Sequence, residues 1–168
     1  MANNIVIRAA TPADARPLAE LRYEFRAALA SALEDRESFL RRCSAWMSSR
    51  LLDDWKCWVA VRGEVIVGQI WMYLLEKLPN PVDEPERHGY ITNLYVRPEF
   101  RGGIGGKLLE LALKWAKQQN ADAIVLWPTP RSRSLYQRHG FMQPVDCLEL
   151  RSGHHPHSSP AISRVKDS

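Results

Sequence analysis

No stretch of this 168-residue chain stays apolar for the roughly 20 residues that cross a bilayer, so no membrane-spanning helix is expected. The opening residues lack the basic segment and apolar run of a secretion signal, and the expected location is the cytoplasm. Cysteine is scarce: Cys43, Cys57 and Cys147 are odd in number, widely spaced and form no Cys-x-x-Cys pair. Neither a disulfide framework nor a zinc site is expected, and no metal is assigned. Internal repeats are absent. Two common phosphate-binding signatures are missing as well. A P-loop would need glycine at Arg101 and Ser or Thr at Leu108, and a dinucleotide fingerprint starting at Gly103 would need glycine at Leu108.

What is present suits one domain with a hydrophobic core: 45% hydrophobic and 25% charged residues. The net charge of +4 is unevenly divided. Residues 1–96 carry 12 Lys/Arg against 13 Asp/Glu, whereas residues 97–168 carry 11 against 6, a balance of +5. The second half therefore prefers an anionic partner, either nucleic acid or a phosphorylated cofactor. The basic residues cluster at the places where a cofactor would be held and are not interleaved with aromatics as on an RNA-binding platform, so nucleic acid is not expected.

Residues 4–9 read as a strand. Thr11-Pro12-Ala13-Asp14 then supplies an N-cap, a proline at the first helical position and an acidic third residue, and Leu18, Leu21 and Phe25 share one helical face. A second helical pattern runs through Phe39, Leu40, Cys43, Trp46 and Met47, read as core packing. Residues 58–61 and 65–74 flank Arg62-Gly63-Glu64 as a hairpin, with Gly68 marking a bulge or a close backbone approach. The proline-rich segment 76–88 reads as a loop, and residues 89–96 as a strand. After the glycine-rich turn comes an amphipathic helix with Leu108, Leu111, Ala112 and Trp115 on one face. Residues 123–127 read as a strand buried on both faces, 131–139 as a helix ended by Gly140, and 146–151 as a last strand. The tail 152–168, rich in Ser, His and Pro, is expected to be disordered, with His154, His155 and His157 solvated rather than metal-bound.

Strand, glycine turn and helix bring free backbone N–H groups and the positive end of a helix dipole to one point, which makes Gly102, Gly103, Ile104, Gly105 and Gly106 an anion cradle. Arg101 and Lys107 add charge at its rim. The competing reading is a tight turn with no ligand.

These residues resemble the GNAT superfamily of N-acetyltransferases. The resemblance rests on Leu94-Tyr95-Val96-Arg97-Pro98-Glu99-Phe100-Arg101-Gly102, then Gly103-Ile104-Gly105, then Leu108-Leu109. A second signature, Leu135-Tyr136 followed by Gly140-Phe141, stands at the expected separation. The family pattern puts Gln or Arg three residues before the first glycine of its Gly-x-Gly. Here that position is Phe100 and Arg101 is only two before Gly103, so the turn is one residue short. Thr129 and Ser132 stand where the family often has Asn and Ala.

The resemblance implies an α+β fold over residues 1–151, with a mostly antiparallel mixed sheet of about six to seven strands flanked by about four helices. It implies acetyl-CoA as co-substrate, held by Leu94, Tyr95, Val96, residues 101–107, Thr129 and Ser132, and direct attack of a primary amine on the thioester. Tyr136 is the expected proton donor to the departing thiolate, because a phenol with pKa of about 10 is protonated at neutral pH. For the base, the strand offers Tyr90, Thr92 and Asn93, none a carboxylate, which leaves Glu24, Glu84 or Glu86 acting through water. The acceptor is a small-molecule or peptide amine, and the acidic loop with Asp83, Glu84 and Glu86 favours a cationic one. Many relatives are dimers, which keeps a homodimer among the expected assemblies. The rival reading is a non-catalytic acyl-CoA-binding or sensing module of the same fold.

Overall fold

The computed structural model describes residues 4–29, 33–83, 87–145 and 147–150. The element order is β1 (Ile5–Ala9), α1 (Ala15–Ala27), α2 (Arg36–Arg50), β2 (Trp55–Arg62), β3 (Val65–Glu76), β4 (Arg87–Val96), α3 (Ile104–Gln118), β5 (Ala121–Val125) and α4 (Arg133–Arg138). The five strands form one sheet in the order β1-β2-β3-β4-β5. Its first four strands are antiparallel, and β5 lies parallel to β4 after the crossover through α3. The fold is thus the expected mixed α+β arrangement, with four α-helices and, among the described residues, five strands rather than six to seven. Residues 147–150 form no strand, while Asp146 and Arg151 lie outside the described residues, as do Glu84, Glu86 and the tail. The chain forms two compact units, Met1–Trp127, which holds the whole sheet, and Pro128–Ser168.

Local sequence accounts for the element starts. Pro12–Asp14 forms a 3₁₀ turn leading into α1. There the Asp14 carboxylate accepts from the Thr11 N–H at 2.7 Å and takes both arms of the Arg8 guanidinium at 2.8 Å. This pairing holds the Asp14 carboxyl down at a pKa of about 2. Asp35 caps α2 by accepting from the Ser38 N–H at 2.9 Å.

Alternation along the strands sends side chains to two faces. Cys57, Val59 and Trp71 pack with Leu18, Leu21, Leu40 and Met47 of α1 and α2. Trp58 points the other way, edge-on to Trp115 of α3 at 5.6 Å. Both expectations for Gly68 hold. The β2/β3 register shifts beside it, and a Cβ there would stand 3.0 Å from Val96 Cγ2 and 3.2 Å from the Tyr95 carbonyl. One expectation does not: β5 is half-exposed rather than buried on both faces, because among the described residues no strand pairs with its outer edge.

Candidate active site

Strand β4 keeps β3 on one side throughout and loses its other neighbour partway along. Its first residues pair with β5 from Arg87↔Ala121 to Tyr90↔Val125, and there the pairing stops. Lys77 and His88 hold the start of β5 through Asp122, at 2.8 and 3.3 Å. Pro128 and Pro130, which lack an N–H, follow its end. Among the described residues, β4 from Ile91 to Val96 therefore has no strand on the β5 side, and its backbone groups there form an open edge. On the other side, Gln69 pairs with Tyr95 and Trp71 with Thr92, so β4 carries one extra residue between them. This bulge contains Asn93 at φ +56°, a left-handed angle that asparagine tolerates better than most residues.

The Arg97 N–H donates to the Val67 carbonyl of β3 at 2.9 Å. Neighbouring residues of a strand turn their N–H and C=O to opposite edges, so Val96 presents both to the open edge. Arg101 accordingly reaches back and donates from Nε to the Val96 carbonyl at 3.2 Å.

The turn that follows is closed by two successive left-handed glycines, Gly102 at φ +121° and Gly103 at φ +98°. Added Cβ atoms at either would meet no protein atom within 4 Å, so the backbone angle is what demands glycine. Gly103 is the N-cap of α3, with no side chain capping the helix. The first intrahelical bond is from the Lys107 N–H to the Gly103 carbonyl at 3.1 Å, which leaves the amides of Ile104, Gly105 and Gly106 without an intrahelical acceptor. The Ile104 side chain is buried and anchors this end of the helix, while Lys107 is exposed beside it. Amides without an intrahelical acceptor and the positive end of the α3 dipole thus meet at this turn, with Arg101 before it and Lys107 after it, chemistry that favours an anion.

Two arginines join α1 to this region. Arg97 makes a two-armed ion pair with Glu24, Nη2 to Oε1 at 2.8 Å and Nε to Oε2 at 3.0 Å, which commits Glu24 to α1–β4 packing and raises the Arg97 pKa. Arg22 donates from Nη1 to Asn93 Oδ1 at 3.2 Å. Beneath the strand, buried Gln69 accepts from Trp71 Nε1 at 2.8 Å and donates to the Leu18 carbonyl at 3.2 Å.

In the second unit, Thr129 and Ser132 bond each other at the start of α4: the Thr129 N–H donates to Ser132 Oγ at 3.0 Å and the Ser132 N–H to Thr129 Oγ1 at 3.3 Å. The end of α4 explains the Leu-Tyr…Gly-Phe spacing. Gly140, at φ +87°, donates its N–H to Gln137, and Phe141 donates its N–H to Tyr136. These are the paired bonds of a Schellman ending, and the Phe141 ring meets the Tyr136 ring at 5.6 Å. Tyr136 is buried, and desolvation pushes its phenol up to about 12.

Of the site residues expected from sequence, Leu94 to Val96 and the 101–107 segment adjoin one another on β4, the turn and α3, and Thr129, Ser132 and Tyr136 share the α4 segment. Sequence reading passed over Arg22, the bulge at Asn93, and the exposure of Trp46 and Trp127. The signal it had for Asn93 was a poor strand former in mid-strand.

Residues 20–141 match the family model described as Acetyltransferase (GNAT) family. An uncharacterized N-acetyltransferase of Archaeoglobus fulgidus is 40% identical over 71 residues, 42% of this chain and 46% of that relative's length. The chain thus spans under half of the curated relative that it matches. Among solved structures, a predicted acetyltransferase with acetyl-CoA from Clostridium acetobutylicum is similar with a TM-score of 0.70 and 24% identity, over 90% of this chain and 100% of that one. A GCN5-related N-acetyltransferase from Ralstonia eutropha gives the same TM-score and identity over 89% and 100%. The open β4 edge and glycine cradle are therefore those of a member of the acetyltransferase (GNAT) family, to which this chain belongs.

Proposed function

We propose that this protein is an N-acetyltransferase that moves an acetyl group from acetyl-CoA to a primary amine by direct attack on the thioester. The observation that carries this reading is the continuity of the unpaired β4 edge with the uncapped N-terminus of α3. A long ligand with an amide-containing arm and a phosphorylated end fits such a path. Strand edges bind extended amides, and helix N-termini bind phosphates.

Acetyl-CoA supplies the activated acyl group. The amides of Ile104, Gly105 and Gly106 receive its phosphate oxygens, with Arg101 and Lys107 compensating charge, and residues 94–96 align its arm. The Val96 N–H, turned to the open edge, donates to an acyl oxygen as it gains negative charge. Tyr136 gives its proton to the departing sulfur and is restored, through water, by the proton that the attacking amine releases, and its pKa of about 12 keeps the phenol protonated throughout the neutral range. The acceptor must arrive as the free amine, since an alkylammonium with pKa of about 10.4 has no lone pair. Thr129 and Ser132, held together by their side chains, shape the segment that presents Tyr136.

The test is release of free thiol from acetyl-CoA, dependent on an added amine, with mass spectrometry of the acetylated product. Tight binding of acetyl-CoA with no transfer to any amine would favour the non-catalytic binding module instead. Among the described residues no helix is long and apolar enough to cross a membrane.

A further inference from the structure

The sheet face beneath α1 and α2 carries a continuous aromatic wall beside the β4 bulge. Trp55 contacts Trp46 at 5.5 Å, Trp71 at 6.2 Å, Tyr73 at 5.1 Å and Tyr90 at 6.3 Å, and Tyr90 contacts Trp127 at 5.5 Å. Its centre is sealed, with Trp71 2% exposed, but its ends are open: Trp46 is 42% exposed and Trp127 62%. Core packing accounts for Trp71 and leaves two exposed indoles unexplained.

Arg22 borders this wall. Its guanidinium donates to Asn93 at the bulge and lies 5.7 Å above the Phe25 ring. Burial is the main influence on it, and the groups within electrostatic reach are Arg26, Cys43 and Tyr90. Among the described residues it has no carboxylate partner, in contrast to Arg97, which holds Glu24. A partly desolvated guanidinium with five N–H donors, one of them used by Asn93, is built to take a planar anion in two-armed fashion. Tyr90 belongs to the wall and lies on β4 with Asn93, the hydrogen-bond partner of Arg22, and within electrostatic reach of that cation, so the aromatic surface and the cation adjoin along one strand.

Resting on the reading of this protein as an amine acetyltransferase, we propose that its acceptor is an α-amino acid with an aromatic side chain. Arg22 holds the carboxylate, and Trp46, Trp55 and Trp127 receive the ring. The α-amine, one carbon from that carboxylate, is thereby delivered to the stretch of β4 next to Asn93 where the edge opens. Arg22 and its neighbour Arg26, the cations within electrostatic reach of each other at this place, repel a polyamine. That local charge reverses the preference for a cationic acceptor drawn from the acidic loop.

The experiment compares acetylation of L-phenylalanine, L-tryptophan, L-alanine, phenethylamine and spermidine by the intact protein with acetyl-CoA. Losing a two-armed carboxylate contact is expected to lower kcat/KM for phenethylamine relative to phenylalanine on the order of 10- to 100-fold. Alanine, which keeps the carboxylate and lacks the ring, should also fall well below phenylalanine. In Arg22→Gln the phenylalanine-to-phenethylamine ratio should shrink toward unity, and in Trp46→Leu the phenylalanine-to-alanine ratio should shrink. The comparison within the parent protein stands even if a variant misfolds. Transfer to spermidine or phenethylamine as efficient as to phenylalanine would overturn the acceptor assignment and leave the acetyltransferase reading intact. Binding of acetyl-CoA without transfer to any of the five, or to a wider amine panel, would overturn both.

Discussion

Arg101 folds back onto Val96 just before the glycine turn, its guanidinium Nε donating to the main-chain carbonyl at 3.2 Å. The bond brings the cation back to the strand edge along which the acyl donor is proposed to lie, with its remaining donors free to meet phosphate. Arg101→Ala should weaken CoA binding and flatten the dependence of that binding on ionic strength, because exposed charge pairs are screened by salt. Calorimetric titrations of parent and variant at low and high salt check this. Equal slopes would mean that Arg101 serves the turn alone.

Gly103 occupies φ +98°, an angle that side chains rarely adopt. Gly103→Ala should therefore cost about 1–2 kcal/mol of stability in urea denaturation, with no steric clash to blame. Its CoA affinity should fall as well, because relieving the strain moves the amides at the start of α3. A variant unchanged in both would show that the turn does not set the cradle.

Tyr136→Phe keeps the ring that packs on Phe141 and removes one hydroxyl. Thermal stability and CoA affinity should change little, while kcat falls by about 10²-fold or more. The loss should grow with acyl donors whose thiol is more basic. With a phenol raised to about 12, the parent should show no alkaline loss of activity from this group below about pH 10. Full turnover in the variant with an accepted amine would assign Tyr136 to packing.

Asp14 links stability to pH. Its folded pKa of about 2 lies below the ordinary aspartate value of 3.8, so its contribution is complete above about pH 5 and is lost as pH falls toward 2. The depression corresponds to about 2 kcal/mol at neutral pH. Asp14→Asn should lower the neutral-pH stability by an amount of that order and show a shallower decline in acid. Denaturation midpoints measured across the acid range provide the check. An unaltered acid limb would place the critical carboxylate elsewhere.

Local features of this fold were legible in the sequence where one short segment contains both the cause and its effect. Thr11 to Asp14 names a helix start because the capping groups lie within three residues, and Gly140-Phe141 names a helix end for the same reason. Gly68 was legible as a bulge or a close backbone approach, although the neighbours it approaches, Val96, Tyr95 and Leu108, were not. The final strand and the burial of β5 were misread. An apolar run does not reveal whether another strand lies beside it.

By itself, the sequence determined the family, the glycine turn that starts α3 and the place of Tyr136 in a helix ended by Gly140, since each depends on residues adjacent in the chain. Only the tertiary structure decided what lies beside the cradle. The extra residue at Asn93, the end of β4–β5 pairing at Tyr90 and the pairing of Arg97 with Glu24 depend on strand register and helix placement between segments distant in the chain. The same holds for Arg22 and the tryptophans. Their hydrophobic or helical periodicity is that of ordinary core positions, and only the packed sheet shows which of them remain at the surface and which charge lacks a carboxylate partner among the described residues.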